Sequence, residues 1–374
     1  MTILVCIPCL LTGGTEIQTL SLVQALVRAG HRVVVACYFE SSEGMMARFR
    51  DAGSEVCLLS PDGRRPVGIR RTAVHLYGGL KKAVREFRPD VAHVQYMAPG
   101  ALAIFILRAL GVKQIVVTTH TAADIYSVNG LRTIKFIARC CTAAFQCITL
   151  KAEKSYFGNA SLFDGTLKRH FTIYNTLPSH ISIRKNPREF NRAAVTVGVV
   201  SRLAEIKGMD LVVPAFAEAV KLQAGTEHPK LRLLVVGDGA QRELMERQAV
   251  ESGYVEWVEF VGRKEQCELQ DWYDRIDILL MPSRSEGFGL TAIEGMARGC
   301  VPVVADTGGL PEVVTADCGL LHRPEDVDGM ARQIHCLASD PLLLDRLSRG
   351  SLQRSADFAP ERYQEKINIL YSLF

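Results

Sequence analysis

Short apolar runs alternate with amphipathic stretches from the first residues onward. Runs at 3–8, 32–38, 55–59, 91–95, 114–119, 145–149 and 171–174 read as buried strands, because they are short, apolar and mostly β-branched. Between them, 16–29, 43–52, 69–87, 99–110, 131–141 and 151–157 carry helical spacing, and Gly30, Gly53 and Gly111 stand where helices end. Such alternation predicts a doubly wound parallel sheet covered on both faces. The pattern breaks at 175–192, where Pro178, Pro187, Asn186 and Asn191 mix with charges, and this stretch reads as an interdomain linker. A second series follows, with strands at 194–200, 231–236, 255–261, 276–281, 302–304 and 319–321. Its helices fall at 209–223, 240–251, 267–273, 291–298, 324–338 and 341–351. Two α/β domains of this kind present ligands beyond the carboxyl ends of their strands, so a cleft between them is the default site.

Composition agrees with two folded cores. Of 374 residues, 48% are hydrophobic and 22% charged, which excludes a disordered chain, a collagen-like repeat and a small disulfide scaffold. The longest apolar stretch, 100–107, stops at Arg108, far short of the roughly 20 residues that span a bilayer. The first seven residues lack a basic region and read as a strand rather than a signal peptide. Eleven cysteines, an odd number, sit mostly in apolar runs (Cys37, Cys57, Cys147, Cys300), which suits buried thiols in a reducing cytoplasm. Cys6 and Cys9 form a CxxC without a second pair, so core cysteines are expected rather than zinc. Charge is uneven. Residues 1–180 hold 21 Lys and Arg against 11 Asp and Glu, whereas the remainder holds 23 against 29. The first half therefore suits an anionic surface or substrate.

Four segments could carry chemistry. In 282–294, glycines precede a helix whose first N–H groups can bind an anion, and Glu286 and Glu294 flank them. Two carboxylates beside a phosphate site make sense as acceptors for hydroxyls on either side of a diphosphate; alternatively, one caps a loop and the other lies on a solvated helix face. In 199–208, Arg202 and Lys207 follow a strand and can neutralise a diphosphate without a metal, or lie in an ordinary solvated loop. Gly13 and Gly14 open a helix after the first strand and admit a ligand or simply make a tight turn. His120 ends a strand where an open sheet presents ligand groups, whereas His31, His75, His180 and the other histidines read as structural or surface residues. Met209, Met245, Met281 and Met296 fit core positions. There is no Walker lysine pattern, HExxH or GxSxG.

These blocks, in this order, resemble the retaining family 4 glycosyltransferases of GT-B fold. The resemblance rests on Gly13-Gly14-Thr15-Glu16, on Ser201-Arg202-Leu203 with Lys207-Gly208, and on Glu286 and Glu294 eight positions apart. It also rests on Gly237-Asp238-Gly239, Phe260-Val261-Gly262 and the run 307–313. It implies two Rossmann-like domains facing across a cleft, 1–180 with 358–374 and 181–357, the last helix returning to the first domain. It further implies that Arg202 and Lys207 bind the donor diphosphate, Glu286 holds the hydroxyls of the transferred sugar and Glu294 holds the ribose. By the same resemblance, the backbone of Gly287, Phe288, Gly289 and Leu290 contacts phosphate and sugar, and that near Arg263 meets the base. Gly14 borders phosphate and acceptor, His120 contacts the sugar, and domain closure brings both to the donor. A UDP-sugar is favoured over a GDP-sugar by family habit, the acceptor is a saccharide or a lipid-linked molecule, and neither cofactor nor metal is expected.

The basic excess concentrates in 64–88, where Arg64, Arg65, Arg70, Arg71, Lys81, Lys82, Arg85 and Arg88 accompany an apolar stripe of Leu76, Leu80, Val84 and Phe87. One reading is a helix resting on anionic lipid at the inner face of a membrane; the other is a solvated helix with a core stripe. Nucleic acid is not expected, because no aromatic residues interleave the charges. Two other function classes compete with transfer. One is a nucleotide-sugar epimerase or hydrolase of similar architecture, against which the glutamate spacing argues. The other is a non-catalytic two-domain sugar-binding protein, a class often exported, for which no export signal is visible.

Overall fold

The computed structural model describes residues 1–96, 100–190, 193–225 and 230–374. It divides into two compact units, Met1–Thr176 with Pro360–Phe374, and Leu177–Ala359.

The first unit holds β1 (Thr2–Ile7), β2 (Arg32–Cys37), β3 (Glu55–Leu58), β4 (Val91–Tyr96), β5 (Gln114–Thr119), β6 (Ala144–Cys147) and β7 (His170–Thr172). They form one sheet in the order β3-β2-β1-β4-β5-β6-β7, and every pairing is parallel. Its helices are α1 (Gly14–Arg28), α2 (Glu43–Asp51), α3 (Ile69–Phe87), α4 (Gly100–Ala109), α5 (Val128–Cys140) and α6 (Leu150–Phe157). Strand side chains alternate between faces, and both faces are covered. Leu4 and Cys6 of β1 join Leu76, Leu80, Ile104 and Ile134, whereas Ile3, Val5 and Ile7 join Val23, Leu26 and Tyr371. That is why every residue of the strand after Thr2 is apolar and buried.

The second unit holds β8 (Ala194–Val200), β9 (Lys230–Val236), β10 (Val258–Gly262), β11 (Ile278–Met281), β12 (Val301–Ala305) and β13 (Leu320–His322), ordered β10-β9-β8-β11-β12-β13 and again wholly parallel. Its helices are α7 (Met209–Leu222), α8 (Arg242–Glu251), α9 (Leu269–Tyr273), α10 (Leu290–Ala297), α11 (Leu310–Val313), α12 (Val327–Ser339) and α13 (Pro341–Ser355). The last helix, α14 (Pro360–Ser372), belongs to the first unit, where Gln364 Nε2 donates to the Ala25 carbonyl of α1 at 2.7 Å.

Several expectations need correction. The stretch 175–190 carries the boundary between the units, at Thr176 and Leu177, and is packed. Leu177, Ile181 and Arg188 are buried, and Arg188 pairs with buried Asp277 at 2.9 Å while donating to the Tyr273 and Asp274 carbonyls. Tertiary packing there outweighs a polar, proline-containing composition. Its expected last residues, Asn191 and Arg192, and Pro99 of an expected helix, lie outside the described residues. The run 255–261 opens as a 3-10 turn, and α12 begins at Val327, where the Asp326 side chain caps the helix by accepting from the Gly329 N–H. Cys37, Cys147 and Cys300 are buried, but Cys57 is only half-buried; all eleven thiols are free. Among the described residues, no helix is long and apolar enough to cross a membrane.

Candidate active site

In the second sheet the strand order reverses between β8 and β11, and open α/β sheets bind ligands beyond the carboxyl ends of such neighbours. Residues 201–208 leave β8 there, and residues 282–289 leave β11. The Lys207 Nζ lies 2.7 Å from Glu286 Oε2, with both side chains mostly buried. The two segments are laced together. The Arg284 N–H donates to the Ile206 carbonyl at 3.0 Å. Its guanidinium forks onto both Asp210 oxygens at 2.7 and 2.8 Å, and pairs with Glu325 at 2.7 Å. This bonding holds the Asp210 carboxyl below its usual range. Behind Glu286, a Cβ on Gly308 would stand 1.6 Å from the Glu286 carbonyl oxygen, so only glycine permits this approach.

Gly289 caps α10 with φ 107°, a conformation that glycine adopts without strain. The first α10 bonds run from the Ala292 and Ile293 N–H groups back to the Gly289 carbonyl. The N–H groups of Leu290 and Thr291 precede that ladder, where the helix dipole favours an anion. Phe288 is buried edge-on against Phe358, with ring centroids 5.7 Å apart, which anchors the segment. Glu294, in the second turn of α10, is 7% exposed. The Tyr273 hydroxyl donates to its Oε2 at 2.7 Å, and His180 Nε2 lies 4.0 Å from Oε1. Burial pushes the Glu294 carboxyl up to about 7, an effect the Tyr273 hydrogen bond partly opposes. Arg202, after β8, and Arg263, after β10, are exposed.

In the first unit the order reverses between β1 and β4. Gly14 is the exposed first residue of α1, and Glu16 is buried in the same turn, where it accepts from the Cys9 thiol at 3.2 Å. His120, just past β5, is buried, and its Nε2 hydrogen-bonds Gln95 Oε1 at 2.7 Å. Burial lowers its pKa to about 4, so the imidazole is neutral at pH 7. On the adjacent strand, His93 hydrogen-bonds the Tyr371 hydroxyl and the Thr118 hydroxyl, and burial lowers it to about 3.

The fold thus brings Lys207 to Glu286 and sets Glu294 behind the same segment, while Gly14 and His120 lie in the first unit. Sequence reasoning gave no role to Arg284, Asp210 or Tyr273, and read His180 as structural or surface. Each acts through a partner distant in sequence, and no local pattern marks such a pairing. Among the described residues, no group of three or more His, Cys, Asp or Glu side chains is arranged to hold a metal.

Two family models match the chain: Glycosyltransferase Family 4 over residues 12–148, and Glycosyl transferases group 1 over residues 194–340. The chain belongs to the family 4 glycosyltransferases. Its fold is GT-B. This family 4 chain is 17% identical to Anabaena HepE, solved in complex with UDP, with a TM-score of 0.80 over 100% of both chains. It is 28% identical, over 78% of its length and 79% of the relative's, to the GDP-mannose-dependent monoacylated alpha-(1-6)-phosphatidylinositol monomannoside mannosyltransferase of Corynebacterium glutamicum. It is 35% identical to the D-inositol 3-phosphate glycosyltransferase of Streptomyces bingchenggensis over 42% of this chain and only 36% of that relative.

Proposed function

We propose that this protein moves a sugar from a nucleotide-sugar, a UDP-sugar in preference to a GDP-sugar, onto the hydroxyl of a saccharide or lipid-linked acceptor, with retention and without a metal. One observation carries the reading: a lysine–glutamate pair beside a helix N-terminus, at the point where the strand order reverses. Lys207, Arg202 and the first N–H groups of α10 neutralise the charge that grows on the leaving diphosphate, an interaction strongest in the transition state. Glu286 accepts from hydroxyls of the transferred sugar, and Glu294 from the ribose. The backbone of Gly287, Phe288, Gly289 and Leu290 lines phosphate and sugar, and that near Arg263 meets the base. From the first unit, Gly14 borders phosphate and acceptor. His120, uncharged at neutral pH, offers the sugar a hydrogen bond rather than a charge. Support for a uridine nucleotide comes from the UDP bound by HepE; the GDP-mannose dependence of the Corynebacterium relative keeps guanosine as the alternative.

The acceptor side includes an anionic membrane, met from the cytoplasmic face through residues 64–88. Leu76, Leu80 and Ala83 of α3 are buried in the core, whereas Val67, Ile69, Val74 and Tyr77 stay exposed among Arg70, Arg71, Lys82 and Arg85. Exposed apolar and basic groups together suit a charged interface.

A thermal-shift panel of UDP-, GDP- and ADP-sugars tests the reading. One of them raises the unfolding temperature of the wild type and not of Lys207→Ala. No shift with any donor overturns it. Product anomers read by NMR test retention, and turnover unchanged by EDTA tests metal independence. Free or isomerised sugar released at catalytic rates without acceptor would instead favour a hydrolase or epimerase.

A further inference from the structure

We propose that Tyr273 is a positioning residue for the donor: its hydroxyl holds one oxygen of Glu294 so that the other faces the ribose as a charged acceptor. This rests on the reading of Glu294 as the ribose contact. Tyr273 ends α9 and is fully buried. Its own backbone is fixed, because its carbonyl accepts from Arg188 Nη1 at 3.2 Å and from the Cys300 thiol at 3.2 Å. The hydroxyl therefore has a set origin and meets Glu294 Oε2 at 2.7 Å. Oε1 has no such short bond to tyrosine and lies 4.0 Å from His180 Nε2.

The arrangement matters because the carboxylate is buried. Burial favours the neutral acid, and a protonated oxygen is a poorer acceptor for a ribose hydroxyl. A hydroxyl donating to the carboxylate favours its charged form. The titratable and charged groups around this carboxylate are Tyr273 from α9, His180 from the segment before β8, and, behind Tyr273, Cys300. The nearby guanidinium of Arg298 is already committed to Asp274 at 2.8 and 2.9 Å. Donor binding should therefore strengthen as pH rises through about 7 and Glu294 ionises. Without the Tyr273 hydroxyl, that rise should move to higher pH.

The experiment is calorimetric titration of UDP and, separately, GDP, each beside its 2′,3′-dideoxy analogue, from pH 5.5 to 8.5. The wild type, Tyr273→Phe, Glu294→Gln and the double variant are compared, with thermal unfolding recorded for each. At pH 7, Tyr273→Phe is expected to weaken the bound nucleotide about fivefold to tenfold, the scale of one ordinary hydrogen bond. It should leave the dideoxy analogue unchanged and shift the pH dependence upward. On the Glu294→Gln background it should add nothing. If Glu294→Gln abolishes discrimination between the ribose forms but Tyr273→Phe keeps wild-type affinity and pH dependence, the inference fails and the reading of Glu294 stands. If Glu294→Gln itself discriminates like the wild type, the reading of Glu294 fails and the inference with it.

Discussion

In the first unit the candidate side chain past β5 is a buried imidazole, His120, held neutral like His93 on the neighbouring strand. In the second unit the candidate side chains are carboxylates, Glu286 paired with Lys207 and Glu294 enclosed beside Tyr273. The winding is the same, so the contrast comes from side chains alone. A neutral imidazole suits hydroxyls, which need hydrogen bonds without charge. A lysine–carboxylate pair beside a helix N-terminus suits a diphosphate.

The sharpest way to break this division is by truncation. Lys207→Ala should lower kcat/KM for the donor about 100-fold or more, the scale of a lost transition-state contact. His120→Ala should cost only about tenfold, the worth of one neutral hydrogen bond. Equal losses in a steady-state assay would erase the distinction.

Stability against pH separates the two units by sign. The folded pKa of His120, near 4, lies below its ordinary value, so the unfolded chain takes up the proton first. Stability from that site is present above pH 6.5 and falls as pH drops toward 4, by about 3 kcal/mol. The folded pKa of Glu294, near 7, lies above its ordinary value, so its site is most stable below pH 4.5 and loses a similar amount, about 3 kcal/mol, as pH rises to 7. Denaturant unfolding at pH 4.5, 5.5 and 7 should show His120→Gln flattening one trend and Glu294→Gln the other. Identical pH trends in both variants would contradict the assignment.

Smaller effects sharpen the picture. Arg284→Ala removes the fork onto Asp210 and should cost about 2 kcal/mol of stability, together with donor affinity, because the 282–289 segment loses its tie. Removing the exposed Arg349–Asp345 pair of α13 should change stability by less than about 0.5 kcal/mol in the same assay.

The fold was readable because both sheets are buried on two faces. Strands such as β1 and β8 are then apolar apart from Thr2 and Thr196, and glycines mark the helix ends between them. The 282–294 segment was readable because glycine spacing and a strand-to-helix junction are local. Tyr273 and Arg284 were not, since their roles exist only through Glu294 and Asp210, distant in sequence. In the 175–190 stretch the break between units was readable from prolines and mixed charges, whereas its packing was not. Prolines describe backbone preference, and the buried pair of Arg188 with Asp277 joins residues distant in sequence.

The return of α14 to the first unit has a consequence for biosynthesis. Ile367, Leu370 and Tyr371 close one core face of that unit, yet they follow the whole second unit in the chain. The half made first can finish folding only after the other half has left the ribosome, so the nascent chain carries an uncovered apolar face until α14 emerges.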